Sequence, residues 1–303
     1  MKCAVIDVGS NTIRLSVYKA DGTSFKILFS EKVMAGIAGY INEGVLSKQG
    51  IVQICSALSE FKQRLENFEI DRLAVFATAP LRNIINTNVA LNFIYESTGY
   101  SVEVISGSEE AKLAYYGALY SVNVQSGSLI DIGGGSTEIV SFSMDTRDNI
   151  IKTLSFPLGS LSLFSRHVSK IFPKPSEQKR IIRDINYAIN SADISAFSKH
   201  SIICGVGGTV RAALKLINSM YDLKSGNRSF SPDQLGKLHK TLCANDEAAR
   251  DLILKNCPDR VHTIIPGLFI LKILTNKLDG SRILVSEYGV REGYLCHRIL
   301  RTA

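Results

Sequence analysis

Three consecutive glycines, Gly133, Gly134 and Gly135, stand between two acids, Asp131 and Glu138, in the segment IDIGGGSTEIV. Glycine reaches φ > 0 without strain, so such a turn lets backbone N–H groups crowd around a ligand. Successive N–H groups form a concave nest for an anion, and the hydroxyls of Ser136 and Thr137 add donors. A plain hairpin needs one or two glycines, so three together point to close approach of phosphate. The acids fall at the ends of two antiparallel strands and bracket the turn. With phosphate seated between them they suit Mg2+ or Mn2+, since a hard cation takes one or two protein carboxylates beside phosphate oxygens.

The same pattern is written a second time. DVGSNTIRLSVY, starting at Asp7, aligns without gaps on DIGGGSTEIVSF, starting at Asp131. Asp7 matches Asp131 and joins it as a candidate metal acid. Ser10 and Asn11 fall in the turn, and Arg14 stands where the second copy has Glu138, offering phosphate a cation. A third loop, ICGVGGTVRAAL, runs from strand to helix through Gly207, Gly208 and Thr209, with Thr209 read as the N-cap. The helix N-terminus behind it attracts anions. Arg211 and, in ATAPLRNII, Arg82 are placed in first turns of helices, where the dipole disfavours a cation unless an anion is near. Glu109 and Glu110 of ISGSEEAKLAYYGALY also open a helix. They suit the helix dipole, and one of them near phosphate could take a proton from an attacking water.

Positioning these residues requires strands that end at each loop. Apolar β-branched runs predict strands near 3–8, 13–19, 25–34, 73–77 and 101–106. Period-3.6 runs, such as Ile51, Ile54, Leu58, Phe61 and Leu65, predict helices near 47–67, 80–97 and 109–120. After NVQSGS the order restarts, with strands near 128–132, 137–143, 150–156 and 201–204 and helices near 160–170, 176–191 and 209–218. Two helical stretches over roughly 231–276, a strand at 282–285 and a helix at 289–301 complete the chain. Both halves run β-β-β-α-β-α. The economical explanation is a duplicated α/β domain, 1–124 and 125–303, with a cleft between the copies and the last helix packing back on the first.

The chain has 303 residues, enough for two cores. Six scattered cysteines show no metal spacing and read as buried thiols of a reducing compartment. No run approaches a membrane span, and Asp7 comes too early for a signal peptide, so a cytoplasmic protein without a membrane partner is expected. The net charge of +7 favours anionic partners. No zinc finger, aromatic RNA-binding strand or long basic run indicates nucleic acid.

Seven segments in this order resemble the exopolyphosphatase and guanosine pentaphosphate phosphohydrolase (Ppx/GppA) family, a branch of the actin-like, ribonuclease H-like (ASKHA) fold. They are IDVGSNTIRL, ATAPLR, VISGSEEAKLAYYG, LIDIGGGSTEIV, GVGGTVR, IIPGLFIL and VSEYGVREGYL. The resemblance implies two actin-like domains around a cleft and Mg2+-dependent removal of terminal phosphate from polyphosphate or guanosine pentaphosphate. It implies that Glu110 is the catalytic base and that Arg82, matching the arginine of the AT-x-x-x-R motif, belongs to the catalytic set. Asp131 and Glu138 match the metal-associated acids, and Gly133 to Thr137 and Gly207 to Thr209 match phosphate loops. A homodimer is compatible with it. His262, Ser162 and the segment GIAGYI depart from the family pattern, and the chain ends where longer members continue. A preference for short substrates is the resulting expectation. An actin-like small-molecule kinase and a catalytically silent guanosine-polyphosphate binder are the competing readings.

Overall fold

The computed structural model describes residues 1–22, 24–146, 149–192, 194, 197, 200–244 and 247–300. The chain divides into two compact units. One is Met1–Gly117 with the stretch from Val290, and the other is Ala118–Gly289.

In the first unit β1 (Lys2–Val8), β2 (Thr12–Asp21) and β3 (Ser24–Met34) form an antiparallel meander. A 3-10 turn at Ile37–Tyr40 leads to a small ribbon, β4 (Ile41–Asn42) with β5 (Val45–Leu46). Ser47 accepts a hydrogen bond from Gly50 N and caps α1 (Lys48–Leu65), whose predicted stripe from Ile51 to Leu65 is buried. β6 (Arg72–Ala77) and β7 (Glu103–Val104) continue the sheet in parallel, in the order β3-β2-β1-β6-β7.

The helix predicted over 80–97 is two helices, α2 (Ala79–Arg82) and α3 (Thr87–Thr98). Asn86 gives both ends of its amide to the Leu46 backbone, at 2.9 and 3.0 Å, and the Thr87 hydroxyl lies 2.8 Å from Leu81 O and 3.0 Å from Ile84 O. The local bonds of Thr87 and the long-range pair of Asn86 with Leu46 together displace the helical ladder. Arg82 therefore ends a one-turn helix instead of beginning a long one. The strand predicted over 101–106 is confined to the two residues of β7, and α4 (Gly107–Ala118) follows.

The second unit repeats the plan. β8 (Ser126–Ile132), β9 (Thr137–Ser143) and β10 (Ile150–Phe156) form the meander. α5 (Ser160–His167) and α6 (Pro175–Ser191) precede β11 (Ile202–Val206) and α7 (Gly207–Met220). Then come β12 (Ser229–Phe230), α8 (Pro232–Ala244), α9 (Glu247–Asn256), α10 (Ile264–Lys277) and β13 (Arg282–Val285). Three helices thus occupy the stretch expected to hold two, because a 3-10 turn begun by Pro258 separates α9 from α10. The sheet order is β10-β9-β8-β11-β13-β12, with β8, β11 and β13 parallel. In each unit a three-stranded meander is followed by parallel strands beside its first strand, the ribonuclease H-like, actin-type arrangement. The apolar IIPGLFIL stretch is a core helix, and no helix among the described residues is long and apolar enough to cross a membrane. Five of the six cysteines are buried and Cys243 is half-buried, all as free thiols.

The last helix, predicted as one element over 289–301, is α11 (Val290–Tyr294) followed by a π-turn at Leu295–Leu300. It belongs to the first unit, as DVGSNTIRL does.

The corner between α5 and α6 is tied by Glu177, which accepts hydrogen bonds from Lys174 N at 2.8 Å and Ser169 N at 3.1 Å. The backbone N–H of Lys174, and then that of Ser169, hold its carboxyl below the usual glutamate range. A depressed carboxyl stabilises the fold above its unfolded pKa and loses that contribution as pH falls through its folded value. Glu177→Ala should cost about 1–3 kcal/mol at neutral pH. In urea melts the gap from wild type should narrow once pH drops below about 4.3, the ordinary glutamate pKa.

Candidate functional site

The two glycine hairpins are geometric copies. Asp7 pairs in register with Arg14, and Asp131 with Glu138. Each turn closes by the same bond, Gly9 N to Thr12 O at 3.1 Å and Gly133 N to Ser136 O at 3.0 Å. Directly opposed residues of an antiparallel pair share a face. One hairpin therefore presents an acid with a base, and the other presents two acids.

The candidate residues follow the carboxyl ends of parallel strands, where open α/β sheets bind ligands. In the first unit the first hairpin leaves β1, Arg82 comes after β6, and Glu110 comes after β7 in the first turn of α4. Arg82 Nη1 lies 2.6 Å from Glu110 Oε2 and also donates to Ile105 O at 3.2 Å. Glu110 is 7% exposed, and the bond from the half-buried Arg82 fixes its rotamer. The neighbouring acid diverges. Glu109 pairs with Arg298 beside a pocket of about 490 Å³ lined by Ser106, Ser108, Lys112, Tyr116 and His297. Burial pushes the Asp7 carboxyl up to about 6, opposed by Arg291 and Arg14 and reinforced by Glu292. The carbonyls of Ser10 and Asn11 accept from Ala38 N and Gly36 N, both at 3.0 Å, which seats the first turn on the following 3-10 segment.

In the second unit the triple-glycine turn has a second duty. The first N–H groups of α5 donate into it: Ser160 N to Gly133 O at 3.0 Å, Leu161 N to Gly134 O at 2.9 Å and Ser162 N to Gly134 O at 3.0 Å. A Cβ on Gly159 would stand 2.5 Å from the Gly134 backbone, so no side chain is tolerated at 159. Because C=O and N–H point oppositely in a trans peptide, carbonyls turned to α5 aim the N–H groups of Gly134 and Gly135 away from it. Those are the donors an anion would meet.

Asp131 lies against Gly207, which has φ of +88°, and a Cβ there would collide with Asp131 Oδ1. Glu138 is 1% exposed and accepts from Ser155 Oγ at 2.8 Å. Two carboxylates on one face, with glycine keeping the space beside Asp131 clear, fit Mg2+ or Mn2+ completed by phosphate and water. No group of three or more His, Cys, Asp or Glu suited to a metal occurs among the described residues. Asp7, the third candidate acid, lies in the other unit, where the charges of Arg291, Arg14 and Glu292 act on it.

Several expected phosphate contacts are committed elsewhere. Thr137 is fully buried and its hydroxyl donates to Leu158 O at 2.7 Å. Thr209 is not an N-cap: α7 begins at Gly207 after Val206, and the buried Thr209 hydroxyl lies 3.4 Å from Ile132 O. Arg211 consequently falls beyond the first turn, and its Nη1 lies 3.4 Å from both Ser286 O and Glu287 O. Ser136 is buried at the turn.

Two arginines escaped the sequence analysis. Arg260 lays its guanidinium against the Cα of Gly208, at the start of α7. A cation at that dipole end calls for an anion, the same argument applied to Arg82 and Arg211. It stands two residues before His262, which packs edge-on against Phe164. Arg291, in the segment GVREGYL, acts on Asp7. An Arg-Glu pair inside an otherwise apolar terminal helix was the available signal.

The chain matches the model of the Ppx/GppA phosphatase family over residues 16–302. A Haemophilus influenzae protein provisionally named an exopolyphosphatase is 26% identical over 299 residues, covering 96% of this chain and 90% of its own. Among solved structures, an exopolyphosphatase from Cytophaga hutchinsonii superposes with a TM-score of 0.86 at 22% identity, covering 100% of this chain and 99% of its own. The Aquifex aeolicus member of the Ppx/GppA family does so with a TM-score of 0.79 at 23% identity, covering 100% and 98%.

Gly207→Ala should destabilise the protein by about 1–3 kcal/mol, since alanine must hold a left-handed backbone against Asp131. Gly236→Ala, in open space on α8, should be neutral or stabilising. Guanidinium melts of the two variants side by side check the contrast.

Proposed function

Because the chain belongs to the Ppx/GppA phosphatase family and is a phosphoanhydride hydrolase, we propose that it releases terminal phosphate from inorganic polyphosphate by attack of a water that Glu110 deprotonates. Guanosine pentaphosphate, whose 5′ end carries the same terminal anhydride, is the second substrate to test. The observation that carries the reading is Glu110 itself, buried and held at 2.6 Å by Arg82. A carboxylate held in one rotamer is placed to accept a proton.

The water oxygen attacks the terminal phosphorus as its proton passes to Glu110. The P–O bond to the bridging oxygen breaks, giving inorganic phosphate and a chain shorter by one unit. Asp131 and Glu138 would hold the Mg2+ or Mn2+, which when bound neutralises charge on the phosphate oxygens. Arg14, Arg260 and the N–H groups of Gly134, Gly135, Gly207 and Gly208 are the donors proposed for phosphate. Ser10 and Asn11 flank Arg14 in that role. Thr137, Thr209 and Arg211 act one step back, holding the loops through the carbonyls of Leu158, Ile132, Ser286 and Glu287.

Phosphate release measured in parallel from polyphosphate, guanosine pentaphosphate and ATP tests the reading. Release from polyphosphate should stop in excess EDTA and return with Mg2+; unchanged turnover in EDTA would remove the metal from the account. Glu110→Gln should bind polyphosphate normally and lose roughly two to four decades of turnover, the usual weight of a general base. A normal Glu110→Gln beside an inactive Glu109→Gln would move the base to the other acid.

A further inference from the structure

The segment GVREGYL has no part in the chemistry above, yet each of its central residues makes a separate engagement in the first unit. Arg291 acts on Asp7 at the end of β1. Glu292 accepts the Tyr18 hydroxyl of β2 at 2.8 Å in a buried bond. Tyr294 stacks on Phe76 of β6, with ring centroids 4.8 Å apart and planes at 15°, and donates its hydroxyl to Glu103 of β7 at 2.5 Å. α11 is therefore tied by direct contacts to three strands of the sheet, β2, β6 and β7.

Gly293, in the middle of this set, meets α4. A Cβ at 293 would fall well inside the van der Waals distance of the Leu113 carbonyl oxygen, so two helix backbones touch here with nothing between them. Leu113 lies three residues after Glu110 on the same helix and therefore on the same side. We propose that Gly293 is a positioning residue for Glu110: its missing side chain lets α4 settle at the depth where Glu110 meets Arg82. The inference rests on Glu110 being the general base.

A methyl group at 293 forces the helices apart by on the order of 1 Å, a displacement that costs about 10²-fold when it moves a reacting group. α4 is the element that yields, because α11 is held by Tyr18, Phe76 and Glu103. The Arg82–Glu110 contact opens, while the hairpins keep their place.

The test uses the full chain. Gly293→Ala should lower kcat for polyphosphate about 10²-fold and leave KM within about threefold, the pattern of lost transition-state stabilisation at unchanged binding. In a Glu110→Gln background, with single-turnover rates read at excess enzyme, adding Gly293→Ala should change nothing further, because both substitutions remove the same function. An equal loss in both backgrounds would mean that Gly293 serves stability alone and would overturn the proposal, as would a folded Gly293→Ala with normal kcat. Should Gly293→Ala fail to fold, Tyr294→Phe removes only the bond to Glu103. It should lower kcat at unchanged KM in the wild-type background and be silent beside Glu110→Gln, and a normal kcat or equal losses would overturn the proposal. A wild type that releases no phosphate would sink the functional reading itself. An active wild type with an unimpaired variant sinks only the positioning.

Discussion

Close approach at glycines, where no added side chain fits, is the contact on which the charged groups depend. Gly159 seats α5 on the triple-glycine turn, Gly207 leaves the space beside Asp131 clear, Gly267 lets α10 close on Thr209 and Ser160, and Gly293 sets α11 on α4. At each place an added methyl would have to displace a main chain or a buried side chain, and close-packed interiors transmit such a displacement. The acids and arginines are long side chains with several rotamers. What makes their positions definite is the depth at which these elements meet.

The duplicated hairpin shows how one backbone serves two chemistries. Register, turn closure and the leading aspartate are the same in both copies. The difference is the residue opposite that aspartate, Arg14 in one copy and Glu138 in the other. Arg14 opposite Asp7 pairs a cation with an acid, whereas Glu138 opposite Asp131 gathers two carboxyl groups, the pair proposed to hold a divalent cation. A single exchanged side chain thus separates a phosphate-facing copy from a metal-facing copy in the proposed mechanism.

Much of this was legible in the sequence, and the limits have physical causes. Gly133 to Gly135 announced close approach, but a glycine does not state what approaches; part of the answer is α5, which only the fold reveals. Hydroxyls were harder. Thr137 and Thr209 sit where phosphate donors belong, yet each bonds to a carbonyl contributed by a distant or neighbouring segment, and local sequence carries no sign of it. Helix 80–97 failed for the same reason: Asn86 finds its partner at Leu46, across forty positions of chain. Arg291 and Gly293 lie in VSEYGVREGYL with no local chemistry to mark them, since Asp7, on which the arginine acts, and Leu113, which the glycine meets, are brought in by the fold.

The central claim is the division of labour between the two hairpins, and the Mg2+ dependence of phosphate release at saturating polyphosphate tests it most directly. Glu138→Gln should raise the Mg2+ concentration needed for half-maximal release by about tenfold or more, as the loss of one charged ligand weakens a two-carboxylate site. Arg14→Gln should leave that concentration where it is in the wild type while raising KM. A Glu138→Gln enzyme with an unaltered Mg2+ requirement, or an Arg14→Gln enzyme whose requirement shifts instead, would contradict the account.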